Sequence, residues 1–324
     1  MADKVLTVSI AAYNLSERID QCLASFASSK FIDDIELIVT NDGSKDDTAK
    51  KVEKWVERYP NSIYLINKKN EGAGSTVNSG ILHATGKYFK MVDGDDWVEN
   101  IDEFVSFLKN CDSDRVVSDY TFYDNSKKAK DRTERFSLPK GCFHFDDEWD
   151  QIPNERHALC FKTEIRKSIH LDNGFYTDVE YLLLPLTKVK TVSYFTKPVY
   201  IYRVGQRNQS VSPQSRRKHV LDHEAVLSHV LSWLNDNKDK RSSQHLSFVL
   251  KRAVSLVDNQ RVIYLLFKPS KEQKTKIKSF VQEISRNEEL YSLYKQNKKL
   301  KLLTKSHYLL YPLACRLVQR KEGR

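Results

Sequence analysis

Residues 88–97 read YFKMVDGDDW, and this stretch decides the fold. It begins with a mostly apolar run, which predicts a strand. The strand leads into an acidic turn in which Asp93 and Asp95 flank Gly94. Two carboxylates on such a tight turn can converge on one Mg²⁺ or Mn²⁺ and leave its other positions for phosphate oxygens. An acidic turn that only caps a helix is the alternative.

Strand and helix signals alternate along the residues that precede this turn. Apolar, β-branched runs at 5–11, 35–40 and 63–66 predict three more strands. Apolar residues recur at helical spacing between them, over 19–26 and again over 52–59. This order predicts an α/β fold with a Rossmann-like doubly wound, mostly parallel sheet.

Each of the four predicted strands is followed by a polar turn. In chain order these turns are Tyr13-Asn14, Asp42-Gly43-Ser44, Asn70-Glu71-Gly72 and 93–96. Because ligands of doubly wound sheets bind beyond the carboxyl ends of the strands, the four turns predict a ligand site at one edge. Asp42 could accept hydrogen bonds there from a base or a ribose, or it could be a turn residue only.

Charge divides the 324 residues into two unequal parts. Residues 1–214 hold 29 Lys and Arg against 33 Asp and Glu, whereas 215–324 hold 24 against 10, a net charge of +14. The second part also shows amphipathic helical patterns throughout. We therefore predict a domain boundary near residue 213, at the end of an α/β domain over 1–213. A basic helical C-terminal region follows over 214–324.

Several classes of protein are excluded or disfavoured by missing motifs. No apolar run is long enough for a membrane-spanning helix, and the start lacks the basic region of a signal peptide. Five scattered cysteines without a CxxC pair indicate reduced thiols and a cytoplasmic protein. The loop at 72–74 is followed by Val77 where a dinucleotide fingerprint needs glycine. RNP, KH and zinc-finger patterns are missing too, so nucleic acid is not an expected partner.

Four motifs in order resemble the bacterial family-2 glycosyltransferases, inverting enzymes of the GT-A fold that build surface polysaccharides. The matching pieces are 9–14 (SIAAYN), 42–48 (DGSKDDT), 70–80 (NEGAGSTVNSG) and 91–96 (MVDGDD). The resemblance is strong over about residues 4–110, loose over 111–210, and does not inform the rest. It implies that 1–213 is a GT-A catalytic domain, with a nucleotide-binding half (1–110) and an acceptor half (111–213). It departs from the family pattern in the first motif, which usually has a proline, and before Asn78, where a basic residue is missing.

The resemblance implies roles for individual residues. It places Asp95, with Asp93, on the metal. It also implies contacts with the nucleotide-sugar donor from Ala12, Tyr13, Asn14, Glu17, Asp42, Asn78, Asp93 and Gly94.

Members of this family take the acceptor proton with an acid that opens a helix beyond the metal turn. The matching segment is 174–181, in which Thr177 replaces the usual glutamate and Asp178 keeps its place. We predict Asp178 as the general base, with Glu180 as the rival and a helix-capping role as the alternative. The late segment that folds over the donor matches Arg203 and Arg207, which could contact diphosphate oxygens or belong to a solvated loop.

The combined prediction is a metal-dependent, inverting hexosyl- or N-acetylhexosaminyltransferase. Its donor is a nucleotide-sugar, with a lean toward UDP, and its acceptor is a glycan or a lipid-linked molecule. The basic, aromatic and aliphatic tail at 301–324 suits the anionic inner face of the cell membrane, although such helices could also pair subunits. The alternatives are a sugar-1-phosphate nucleotidyltransferase and a non-catalytic polyanion-binding protein.

Overall fold

One ten-stranded sheet organises the first part of the chain in the computed structural model, which describes residues 4–153, 155–205, 212–237, 239, 242–296 and 298–322. The chain divides into two compact units, Met1–Gln206 and Arg207–Arg324. All ten strands belong to the first unit: β1 Leu6–Ala12, β2 Ile35–Asp42, β3 Ile63–Lys68, β4 Tyr88–Asp93, β5 Trp97–Val98, β6 Arg115–Asp124, β7 Ala129–Glu134, β8 Cys142–His144, β9 Leu159–Lys162 and β10 Thr191–Val204.

The strand order is β3-β2-β1-β4-β9-β6-β10-β5, with β7 paired to β6 and β8 paired to β10. Strands β1 to β4 pair in parallel. The short strand β9 runs antiparallel between β4 and β6, so β6 and β10 point the same way as the first four. Six of the ten strands thus share one direction, and the prediction of a mostly parallel doubly wound sheet is confirmed.

Helices cover this sheet because their apolar stripes match its buried faces. In the first unit they are α1 Ile19–Ala27, α2 Thr48–Arg58, α3 Ala73–His83, α4 Ile101–Lys109, α5 Thr163–Lys167 and α6 Asp178–Leu183. The first helix shows the principle, since Ile19, Cys22, Leu23 and Phe26 lie on one stripe and all are fully buried. Strands β1 and β2 are buried almost throughout, and every residue of β2 is buried.

The second unit is helical over its described residues. Its helices are α7 Pro213–Lys218, α8 Val220–Asn237, α9 Ser243–Leu265, α10 Lys271–Ile284, α11 Glu288–Tyr294, α12 Lys298–Lys305 and α13 Tyr311–Glu322. The predicted helical extension is confirmed. One predicted element is corrected: the amphipathic pattern over 287–303 predicts a single helix, whereas the structure has α11 and the start of α12 there.

Two further expectations can be compared with the structure. Within the described residues, no helix combines the length and the apolar character that crossing a bilayer requires. All five cysteines are free, but Cys142 is exposed whereas the other four are buried.

Candidate active site

The parallel strands bring three predicted site residues side by side. Ala12 pairs with Asn41, which precedes Asp42, and Ala11 pairs with Asp93. The carboxyl ends of β1, β2 and β4 therefore form one edge, as expected for a doubly wound sheet. Gly94 continues this edge, because its N–H donates to the carbonyl of Ala11 at 3.1 Å.

The loop after β1 is fastened to the loop after β2. Asn14, in the left-handed region at φ 53°, donates its N–H to Ser44 Oγ (2.9 Å), and its Oδ1 accepts from the N–H of Lys45 (2.8 Å). Two neighbours of Asn14, Leu15 and Ser16, donate to Thr48 and Asp46. The asparagine predicted to line the nucleotide is thus also the residue that joins the two loops.

Two other residues that the resemblance assigned to the donor point outward from this loop. Tyr13 is 47% exposed. Glu17 is also exposed, at the start of the turn that leads into α1. Both lie at the carboxyl edge, where a ligand could reach them.

Asp42 is buried, and backbone groups occupy both of its oxygens. They accept from the N–H of Glu71 (2.9 Å) and of Gly72 (3.0 Å). The Lys68 ammonium lies 3.1 Å from the same carboxylate. Asp42 therefore anchors the loop between β3 and α3, a role that its position in the sequence did not reveal.

The start of α3 lies directly against the segment 172–174. A Cβ atom on Gly74 would be 1.7 Å from the carbonyl oxygen of Asp172, so only glycine fits there. Gly74 and Ser75 donate their N–H groups to the carbonyls at 174 and 173. The glycine-containing loop that superficially resembled a dinucleotide site thus accommodates a second stretch of backbone.

Asn78 reinforces this junction between α3 and the segment before Asp178. Its amide nitrogen donates to the Leu171 carbonyl (2.7 Å), and its Oδ1 accepts from the Leu171 N–H (3.0 Å). The predicted contact between Asn78 and the donor stays a prediction, whereas its bonds fix the approach to α6.

The acidic turn brings three carboxylates together. Ligand oxygens of Asp93, Asp95 and Asp96 lie within 4.8 Å of one another. Asp96 is buried and accepts from the Tyr200 hydroxyl (2.6 Å) and the Arg203 N–H (2.8 Å), and burial raises its pKa well above the ordinary value. Asp93 and Asp95 are only half-buried. This oxygen-rich set fits a hard divalent cation, with Asp96 as the residue that ties the turn to β10.

Sequence reasoning missed Arg156, which joins the acidic turn to the predicted base. Its guanidinium donates to the Asp93 carboxylate, and its Nε lies 3.0 Å from Asp178 Oδ1. Asp178 is the first residue of α6 but pairs with this arginine rather than capping the helix. Surrounding protein and the charge of Asp93 raise the pKa of Asp178, Arg156 lowers it, and a side chain that is 60% exposed limits the net shift.

A buried lysine supports the short 3-10 helix Arg156–Ala158 that carries this arginine. Lys90 Nζ donates to the carbonyls of His157 (2.7 Å) and Leu159 (3.2 Å), and burial lowers its pKa to about 8. The His157 ring stacks on Tyr202 at 4.2 Å, and burial keeps its pKa well below the ordinary value. The backbone segment that carries Arg156 is therefore held by buried, well-packed side chains.

The guanidinium of Arg203 forms hydrogen bonds with other groups of the protein. Its nitrogens donate to the Asp95 carbonyl (2.9 Å), to Asn125 (3.1 Å) and to Gln21 (2.7 Å). This arginine thus supports the acidic turn through the Asp95 carbonyl. The other late arginine, Arg207, lies outside the described residues.

Glu180, the rival candidate for the base, lies deeper than Asp178. It is fully buried and accepts from the N–H of Asp172 (2.9 Å). Asp178 is exposed instead, so the two acids of this helix occupy different environments.

Comparison with known proteins identifies the family of this chain. The family model "Glycosyl transferase family 2" matches residues 7–175, more than half of the chain. The chain belongs to glycosyl transferase family 2. The resemblance inferred from four motifs is therefore confirmed, and the matched segment includes the carboxyl ends of β1, β2 and β4.

Relatives of this family-2 chain include two proteins of Bacillus subtilis. It is 26% identical over 223 residues to the putative glycosyltransferase EpsH of Bacillus subtilis (strain 168), covering 63% of this chain and 62% of EpsH. It is 24% identical to the minor teichoic acid biosynthesis protein GgaB of the same organism, covering 63% of this chain and 23% of GgaB. The chain thus spans less than two thirds of either relative.

Solved structures extend the fold comparison over nearly the whole chain. The crystal structure of S. aureus TarS residues 1–349 in complex with UDP superposes with a TM-score of 0.64 at 16% identity, covering 99% of this chain and 92% of that one. At this identity the likeness concerns the fold alone. It confirms the predicted GT-A architecture.

Proposed function

We propose that this family-2 enzyme transfers one hexosyl or N-acetylhexosaminyl unit, with inversion, from a UDP-sugar to a glycan or lipid-linked acceptor in cell-surface polysaccharide synthesis. One observation carries the proposal. Arg156 contacts both Asp93, in the acidic turn that could hold a divalent cation, and the exposed carboxylate of Asp178. With these roles, a group that holds the diphosphate through a metal ion and a proton acceptor would lie beside each other. Structures of TarS with UDP and with UDP-GlcNAc support the donor class.

The donor would lie across the carboxyl ends of β1, β2 and β4. Ala12, Tyr13 and Asn14 would line the nucleotide, with Glu17 at the rim and Asp42 holding the loop around the base. Asn78, Gly94, Arg203 and Arg207 were predicted to contact the donor as well. For Asn78 and Arg203 we now favour an indirect role, because their polar groups are bonded to protein atoms.

Asp95 and Asp93 would hold Mg²⁺ or Mn²⁺ at the acidic turn. A bound divalent cation would neutralise charge on the departing diphosphate. A mannosyltransferase of Pyrobaculum calidifontis, solved with GDP-Man and Mn²⁺, shares the fold at a TM-score of 0.50 and 14% identity.

Asp178 would act as the general base. The acceptor hydroxyl oxygen forms a bond to the anomeric carbon, the bond from that carbon to the diphosphate oxygen breaks, and the hydroxyl proton moves to a carboxylate oxygen of Asp178. One displacement from the opposite face gives inversion. The half-open setting suits this role, because the carboxylate is exposed to the cleft yet bonded to Arg156 on one side.

The C-terminal helices would place the enzyme at the inner, cytoplasmic face of the membrane. Leu309, Leu313 and Leu317 form an exposed row, between 50% and 77% accessible, and Arg316 and Arg320 lie beside them on α13. Exposed leucines with basic neighbours suit an anionic lipid surface. Pairing of two subunits through this row is the competing explanation, although the +14 charge of 215–324 opposes it.

Vesicle sedimentation separates these two explanations. We expect the full chain to bind phosphatidylglycerol vesicles but not phosphatidylcholine vesicles, and Leu313→Ser/Leu317→Ser to abolish binding. Leu82→Ser, at an exposed leucine of the first unit, is the matched control. A dimer that dissociates in the double variant, without vesicle binding in the parent protein, would replace the membrane proposal.

Calorimetric titration of nucleotides tests the donor site without knowledge of the acceptor. We expect UDP to bind in the presence of Mn²⁺, and Asp95→Asn to remove the metal-dependent part of the affinity. Thermal shifts across UDP, GDP, CDP and TDP sugars would identify the base, because ligands that bind the native state raise its melting temperature. A failure of every nucleotide to bind would contradict the proposed function.

A further inference from the structure

Arg156 lies between two carboxylates that must both stay charged for the proposed reaction. It contacts Asp93 with one terminal nitrogen and Asp178 with Nε, and only 10% of its side chain is exposed. We propose that Arg156 is a positioning residue that holds Asp178 in its reactive orientation while balancing the charge of the metal turn. The inference rests on the proposed function and deepens it.

Electrostatics explains why a cation is needed at this point. Asp93 and Asp178 share one guanidinium, so their negative charges lie close together beside the nearly buried Arg156 side chain. Like charges in such a setting repel each other, and each favours protonation of the other. A guanidinium always carries its charge and bonds carboxylates in a fixed planar geometry, which a flexible ammonium does not reproduce.

The surroundings of Arg156 fix it in place. Its turn is held from below by Lys90, which donates to the carbonyls of His157 and Leu159. The neighbouring His157 ring packs against Tyr202 and Tyr200, at 4.2 and 4.7 Å between ring centroids. A side chain anchored in this way limits the orientations open to Asp178, whose own position at the first turn of α6 would otherwise leave it free to rotate.

Kinetics of Arg156 variants test the positioning role. In Arg156→Met we expect kcat for UDP release from UDP-N-acetylglucosamine, with water as acceptor, to fall about 100-fold. The Kd for UDP with Mn²⁺ should stay within about threefold, or tighten because a competing cation is gone. Arg156→Lys should recover at least about tenfold of the lost rate, since it restores the charge. Arg58→Met, at the far end of α2, is the control.

Two kinetic outcomes would overturn the proposal. An unchanged kcat in Arg156→Met would show that Asp178 needs no positioning. A large loss of UDP affinity with unchanged kcat would place Arg156 in the donor pocket instead.

A stability cycle tests the same proposal without any turnover, so a failure of the donor assignment would remain distinguishable. In the parent protein, Asp178→Asn removes an ion pair and should lower the melting temperature. In the Arg156→Met background the same change removes a repulsion with Asp93 and should raise it. A shift of equal sign and size in both backgrounds would contradict the proposal, and Arg156→Gln, which also removes the charge, serves as the background if Arg156→Met does not fold.

Discussion

Two pairs of aspartates lie at the same edge of the sheet but are held in different ways. Asp42 and Asp46 accept hydrogen bonds mainly from backbone N–H groups of nearby loops. Asp93 and Asp178 instead share one arginine side chain. Asp42 and Asp46 fix the shape of the loops, whereas the side chains of Asp93 and Asp178 remain 35% and 60% exposed.

This difference indicates how the edge separates structural and chemical roles. A carboxylate surrounded by backbone donors has few lone pairs left to bind a ligand, because they already accept the hydrogen bonds that hold the loop in place. A carboxylate bonded on one side by a side chain keeps lone pairs for a metal or a proton. Mutations at the two pairs should therefore affect different measurements.

The largest effect should come from Asp178. We expect Asp178→Asn to lower turnover by about 1000-fold, because an amide cannot accept the acceptor proton. Calorimetry should find the affinity for UDP with Mn²⁺ nearly unchanged. Asp112→Asn is a matched control, since that side chain is 85% exposed. Normal turnover in Asp178→Asn would show that the base is another residue.

Asp42 should affect folding before chemistry. Asp42→Asn leaves the Lys68 ammonium without its buried partner and replaces an acceptor by a donor, so we expect a loss of about 3 kcal/mol in the free energy of unfolding. Urea unfolding measures this loss. Asp47→Asn, at an exposed ion pair with Lys50, should change it by less than about 0.5 kcal/mol. Equal effects of the two variants would argue against the anchoring role of Asp42.

Lys90 should give a stability difference that depends on alkaline pH. Its pKa is about 8 in the folded protein and 10.5 ordinarily, so between these values the unfolded chain binds a proton that the folded chain has released. The parent protein should therefore gain stability relative to Lys90→Met as pH rises from 8 to 10, by up to about 3 kcal/mol. Denaturant unfolding at pH 7, 8, 9 and 10 measures it. A constant difference would mean that Lys90 keeps its proton throughout.

The smallest effect should come from Asp46, at the acid end of the pH range. Hydrogen bonds from Thr48 and Ser16 offset the effect of partial burial and lower its pKa to about 2, below the ordinary 3.8. Its contribution is complete above pH 3.8 and is lost as pH falls through 2. Asp46→Asn should cost about 1 kcal/mol at pH 6, a cost that shrinks below pH 4. Persistence of the full difference at pH 3 and below would contradict this account.

Much of the fold could be predicted because its signals are local. Strands β1 to β4 follow one another along the chain, and together they occupy four neighbouring positions of the sheet in the order β3-β2-β1-β4. Each apolar run and polar turn could therefore be interpreted alone. The start of α6 at Asp178 was also predicted, and the structure begins that helix at the same residue.

Other features depend on contacts between distant parts of the chain. Arg156 is 63 residues from Asp93 and lies in an irregular segment, so no spacing pattern pointed to it. Asn78 and Arg203 were assigned to the donor by family resemblance, yet their bonds go to Leu171 and to Gln21, Asn125 and Asp95. A sequence pattern indicates which residue types are present, but not which partner already satisfies them.

The contact between Gly74 and the segment 172–174 has a consequence for the order of synthesis. On the ribosome, residues 6–93 emerge first. They contain the four neighbouring parallel strands whose carboxyl ends form the edge at which we propose that the donor binds. Asp178 can reach its position only after about eighty further residues have been synthesised and segment 172–174 has packed against Gly74. We therefore expect a nascent chain to be able to hold a nucleotide before it can transfer a sugar.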